Sequence, residues 1–130
     1  MELTINGTRY IQEVQHDFNA AYPYLKLEFF RQLVGEPSPA SAGNLLKHSL
    51  KIQDARRMQQ NGVLEVTDSM RVSDLEDELK QRYGLSAQVF RKSGNVWLET
   101  TMSDNWTLKQ QNDHGREIST FKDKRQNTMT

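Results

Sequence analysis

The imidazoles of the chain are His16, His48 and His114, which lie far apart and form neither an HxH nor an HExxH pattern. A metal centre needs imidazoles and carboxylates in one coordination sphere, so this spacing gives no metal site, and no cofactor motif accompanies it. Cysteine is absent, which removes thiol nucleophiles, iron–sulfur ligation and disulfide staples. Asp74 and Glu78 stand one helical turn apart, the spacing of a paired-carboxylate acid–base site. Neither has a histidine nearby, and an ordinary solvated helix face uses the same spacing. The stretch 35–43 lacks the Gly-Lys-Ser/Thr ending of a phosphate loop, and no GxSxG motif or serine triad is present. An enzyme would have to gather its site from dispersed polar residues, and no catalytic residue is assigned.

What remains is a set of aromatic and basic side chains whose value depends on which way the strands face. Along 24–31, alternation puts Leu25, Leu27 and Phe29 on one side and Lys26, Glu28 and Phe30 on the other. In 85–91 the inward choice of Ala87 and Val89 leaves Gln88 and Phe90 outside, while Trp97 and Glu99 point opposite to Val96 and Leu98. Arg91 and Lys92 sit at the intervening turn. The expected surface carries Phe30, Phe90 and Trp97, edged by Lys26, Arg31 and Lys92. Large aromatics on an open sheet face are costly in water, so a partner protein, a second copy or the chain's own segment 44–60 or Trp106 is expected to cover them. Candidate binding residues are Phe30, Phe90, Arg91, Lys92 and Trp97.

The elements that position these residues are written as a repeat. The helical stripe Ile11, Val14, Phe18, Tyr22 recurs as Val72, Leu75, Leu79, Tyr83, displaced by 61 positions, and each copy runs into an extended apolar stretch ending in Phe-Arg. The change from helical to alternating periodicity predicts a helix-to-strand unit used twice. Thr8 is the expected N-cap of the first helix and Pro23 its stop. Ser73, with Glu76 three residues on, is the expected capping box of the second, and Gly84 its stop. Short strands are expected at 2–6, 63–68 and 96–101, the last joined to 85–91 by a hairpin through 92–95. One or two helical turns are expected at 106–111, and 44–60 fits either a short helix or a strand.

The predicted order suits an α+β fold, a ferredoxin-like split βαβ repeat on one antiparallel sheet. The alternative is a β-grasp-like C-terminal half with an N-terminal βαβ extension, in which Leu50 would pair with 63–66. Val72 to Leu75, Gly84-Leu85, Gln88-Val89-Phe90 and Thr107-Leu108 look like the helix start, helix stop, strand and final turn of ubiquitin-like domains. The stretch Gly84-Leu85-Ser86-Ala87-Gln88-Val89-Phe90-Arg91-Lys92-Ser93-Gly94-Asn95-Val96-Trp97-Leu98-Glu99-Thr100, continued by Asn105-Trp106-Thr107-Leu108 and Gln111-Asn112, resembles a group of small uncharacterised bacterial proteins. That resemblance implies no activity and transfers no site residues.

At 130 residues the chain fits a single domain over 1–118, with a Pro/Ser/Gly-rich linker at 35–44 and a polar tail at 119–130 expected to be disordered. Lys plus Arg and Asp plus Glu both number 17, so whole-chain charge gives no drive toward nucleic acid or acidic lipid. The N-terminal residues carry neither a basic start nor a long apolar run, which points to a cytoplasmic location without a membrane span. The expected function is a non-catalytic protein-interaction or homodimerisation module. Alternatives are a weak single-stranded nucleic-acid binder and an enzyme with a dispersed site.

Overall fold

The computed structural model describes residues 1–31, 44–56 and 59–128, with side chains described to Thr120. Its elements run β1 (Glu2–Ile5), α1 (Ile11–Ala21), β2 (Leu25–Phe30), α2 (Ile52–Ala55), β3 (Gly62–Glu65), α3 (Val72–Tyr83), β4 (Ser86–Ser93), β5 (Val96–Glu99), a 3-10 turn at Thr101–Ser103, and α4 (Leu108–Thr128). The fold is α+β. No helix among the described residues is long and apolar enough to cross a membrane.

Both expected helices form on the expected stripes, because residues at those intervals share one helix face and that face is buried. Gly84 adopts φ 67°, and the next two donors close the end of α3: Gly84 N–H reaches Lys80 O at 3.1 Å and Leu85 N–H reaches Leu79 O at 3.0 Å. The helix starts differ from expectation. Tyr10 and Arg71, not Thr8 and Ser73, occupy the N-cap positions, and neither side chain caps its helix. The first helical donors are met by main-chain carbonyls instead: Ile11 and Gln12 donate to Leu50 O and His48 O, Val72 and Ser73 to Trp106 O and Asp104 O. With those donors already satisfied, a hydroxyl cap has nothing to bond. Glu13 and Asp74 supply the other half of the box, accepting Tyr10 N–H at 2.9 Å and Arg71 N–H at 3.1 Å.

The strands divide between two antiparallel sheets, β1–β3 and β2–β4–β5, so the single ferredoxin-like sheet is not what their hydrogen bonding shows. The β-grasp pairing of Leu50 with 63–66 is not seen either. Strand β3 takes β1 as its partner, and the neighbouring Lys51 makes one bridge to Tyr10. Like pairs with like. Leu3 faces Leu64, its own counterpart in the repeat, and β2 faces β4 with Leu27 opposite Val89. The two copies thus meet about an approximate internal two-fold axis.

The repeat also extends beyond what the stripe shows. After the second strand each copy returns to the turn before its own first helix. Ile52 and Gln53, opening α2, donate to Arg9 O and Gly7 O; Leu108 and Lys109, opening α4, donate to Met70 O and Asp68 O. Ile52 and Leu108 are both fully buried. Here the copies differ, since α2 ends at Ala55 whereas α4 continues to Thr128. Helix α4 thereby runs past the one or two turns expected at 106–111 and through much of the expected tail. Of the expected linker, 35–43 lies outside the described residues.

One core joins the halves, drawing Leu3, Ile5 and Leu64 from the small sheet, Leu25, Leu27, Phe29 and Val89 from the larger, and both helical stripes. Among the described residues the outer edge of β2 has no full neighbouring strand: the main chain of 44–46 bonds its end, with Leu46 N–H on Phe29 O and Arg31 N–H on Asn44 O, and α1 covers the rest with side chains. Gln15 donates to Leu27 O at 2.7 Å and Asn19 to Leu25 O at 2.8 Å, so residues four apart on a helix serve carbonyls two apart on a strand. On β4 the corresponding helix position is Glu76, whose carboxylate accepts Val89 N–H at 3.0 Å, while Thr100 donates its hydroxyl to Val89 O at 2.7 Å.

Candidate functional site

The register of the larger sheet builds the site. Lys26 lies opposite Phe90, Glu28 opposite Gln88 and Phe30 opposite Ser86; Lys92 lies opposite Trp97 and Phe90 opposite Glu99. Directly opposed residues project to the same side, so Lys26, Glu28, Gln88, Phe90, Lys92, Trp97 and Glu99 share one face. Leu25, Leu27, Phe29, Ala87 and Val89 form the other and enter the core. The hairpin holds that face with a two-residue connection, Gly94-Asn95, rather than the longer one expected from 92–95. Gly94 sits at φ 63° and Asn95 is not in the positive-φ region, as a type II′ turn requires.

Three of the five expected binding residues meet here. Phe90 and Trp97 are half-buried, and the Lys26 ammonium lies 5.8 Å from the Phe90 ring centre and 5.0 Å from that of Trp97. Lys92 lies beside Trp97 across the hairpin. Phe30 is only 4% exposed and makes a bridge with Leu45, so segment 44–46 covers it. Arg91 points to the opposite side, where its Nη1 donates to Gln111 Oε1 of α4 at 2.9 Å. Burial lowers the proton affinity of that guanidinium below its ordinary value.

Between this face and α1 runs an open groove of about 300 Å³ lined by Gln12, Gln15, His16, Asn19, Lys26, Glu28, His48 and Trp97. Its floor is the Glu28 carboxylate, buried on an otherwise half-open surface. Three groups hold it: His48 Nε2 at 3.1 Å, Lys26 Nζ at 3.4 Å and Gln15 Nε2 at 3.3 Å. The carboxylate is thus committed to three neighbouring side chains, and the groove presents amides and an aromatic wall suited to binding. Glu28, Gln15 and His48 were not among the expected binding residues, because His48 and Glu28 come together only through the return of 44–48 onto β2. The signal that existed was the polar series Gln12, Gln15, His16, Asn19 at helical spacing.

The carboxylates Asp74 and Glu78 border one open depression but are engaged separately. Asp74 accepts Arg71 N–H, and Glu78 pairs with Arg82 at 3.3 Å on the exposed side of α3. Among the described residues, no group of three or more histidines and carboxylates is placed to hold a metal ion. No protein-family model, curated protein or solved structure matches the chain.

Proposed function

We propose that this chain is a non-catalytic interaction module that associates with a second copy of itself along the outer strand β5 and the Phe90, Lys92, Trp97 face beside it. Edge strand β5 supports this most directly. Among the described residues it pairs with β4 alone, and it leaves Val96 54% and Leu98 43% exposed on one side while Trp97 stands half-buried on the other. An apolar edge with one unpaired row of backbone donors and acceptors invites another strand, and desolvating Trp97 would supply the anchor. Lys92 and Glu99 on the Trp97 side give the surface both signs of charge, and the equal charge totals of the chain add no repulsion between copies.

Sedimentation of the full chain tests this. Dimer is expected, with Trp97→Ala and Leu98→Lys each shifting the population to monomer while the circular dichroism of the fold is retained. A wild-type chain that stays monomeric up to about 1 mM, where a contact worth only about 4 kcal/mol is already populated, would remove the proposal. Single-stranded nucleic acid stacked on Phe90 and Trp97 is the competing occupant, although Lys26 already lies over those rings. Binding that collapses with added salt would favour it.

A further inference from the structure

The neighbours of β5 fix both the length and the phase of its open edge. Lys92 N–H is spent on Tyr24 O at 2.9 Å, on the β2 side of β4, and Val89 turns the other way, its N–H to Glu76 and its carbonyl to the Thr100 hydroxyl. Main-chain groups alternate sides along a strand, so Arg91 and Ser93 turn theirs toward β5 and meet Leu98 and Val96. Trp97 and Glu99 therefore present their N–H and carbonyl groups to the open side, where no strand among the described residues bonds them. This edge begins at Asn95 of the hairpin turn and ends at Glu99. At Thr100, only 2% exposed, the chain bends back to β4, and Thr101–Ser103 forms the 3-10 turn.

The edge Asn95-Val96-Trp97-Leu98-Glu99 has one pattern in either direction: polar ends, an aliphatic residue inside each, tryptophan at the centre. Its natural complement is an antiparallel strand of the same sequence about a two-fold axis. Only the register with Trp97 opposite Trp97 engages the whole edge. The nearest registers that keep donors facing acceptors set Val96 against Thr100, which has left the strand, or Leu98 against Gly94 in the turn. In the full register each Val96 lies opposite Leu98 of the second copy, which withdraws from water the two aliphatic side chains that β5 leaves open. Glu99 meets Asn95, so no like charges oppose one another. The helices also have room. Helix α4 lies over β4, with Gly115 close against Arg91 and Lys92, and the two β4 strands stand three strand spacings apart, about 14 Å, more than the roughly 8–10 Å at which helices touch.

We infer that two copies of the chain join β5 to β5 in an antiparallel ladder centred on Trp97, so that their larger sheets become one continuous sheet. This register rests on the self-association proposed above and fixes which residues meet in it. Cysteine is absent from the chain, so introduced thiols report the register directly. Val96 and Leu98 of opposite copies occupy a non-hydrogen-bonded pair, with Cα atoms about 4.5 Å apart, within disulfide range. Each faces its own counterpart only diagonally, at roughly 7–8 Å. Both side chains are exposed, so Val96→Cys and Leu98→Cys should keep the fold, as circular dichroism checks. With oxidised glutathione as oxidant, an equimolar mixture of the two full-length variants should form the mixed disulfide about tenfold faster than either variant alone forms its own, the products being told apart by intact mass. Sedimentation of the wild-type chain separates the two ways of failing. A dimer in which either variant crosslinks to itself as fast as to the other, or in which no combination crosslinks, overturns the register and leaves self-association standing. A chain that stays monomeric and crosslinks in no combination removes both.

Discussion

Glu76 offers the sharpest quantitative test of how this fold closes its open strand edge. Its carboxylate accepts the Val89 amide at 3.0 Å. Burial, offset in part by that hydrogen bond and reinforced by the nearby charges of Asp104 and Asp77, raises its pKa from 4.5 to about 7. The folded state therefore keeps a proton between pH 4.5 and about 7 that the unfolded chain has released. Stability from this group is fully present below pH 4.5, falls as pH rises through that window, and is flat above it. A tenfold change in proton affinity is about 1.4 kcal/mol, so the full shift amounts to on the order of 3 kcal/mol. Some contact with solvent remains, which reduces the expectation to roughly 1–3 kcal/mol.

Glu76→Gln removes the charge and keeps an oxygen that can accept the Val89 amide. Thermal or urea unfolding should show the variant more stable than wild type by that amount at pH 8, roughly 3–6 °C in Tm for each kcal/mol, with the gain vanishing near pH 4. Other carboxylates titrate in both proteins and cancel in the difference. Glu78→Gln, on the exposed side of the same helix with its carboxylate paired to Arg82, is the control and should show no such gain. If Glu76→Gln matched or fell below wild type at pH 8, Glu76 would not be the desolvated edge cap described here.

The paired tyrosines should respond in opposite ways. Tyr22 OH donates to Asp68 Oδ1 at 3.0 Å, whereas Tyr83 OH is buried without a partner among the described residues, the repeat placing Gly7 where the second half has Asp68. Chemical denaturation should show Tyr22→Phe losing about 1 kcal/mol and Tyr83→Phe unchanged or more stable. Gly115→Ala, which in an exposed helix would gain up to about 1 kcal/mol, should instead lose about 1–3 kcal/mol, because the new methyl meets Tyr24, Arg91 and Lys92 O. Calorimetry of the single variant decides the sign.

Much of the local structure was readable from residue spacing. The stripes Ile11 to Tyr22 and Val72 to Tyr83, the stop at Gly84 and the facing of Lys26, Phe90 and Trp97 away from Leu27 and Val89 all follow from periods of 3.6 and 2, which a few neighbouring residues express. The cap positions were not readable, because Leu50, His48, Trp106 and Asp104 supply carbonyls from across the turn and make the hydroxyls of Thr8 and Ser73 unnecessary. The candidate groove was half legible. Trp97 and Lys26 lay on a predictable face, but Phe30 was covered by 44–46 and Arg91 turned to Gln111.

Sequence alone determined that two amphipathic helices, each running into a strand, would share one core, since burial periodicity is a property of each segment. Only the tertiary structure decided which strands pair, because any exposed edge offers the same backbone donors and acceptors and the choice depends on where the helices leave room. The outcome, β1 with β3 and β2 with β4, leaves edges for Gln15, Asn19 and Glu76 to close.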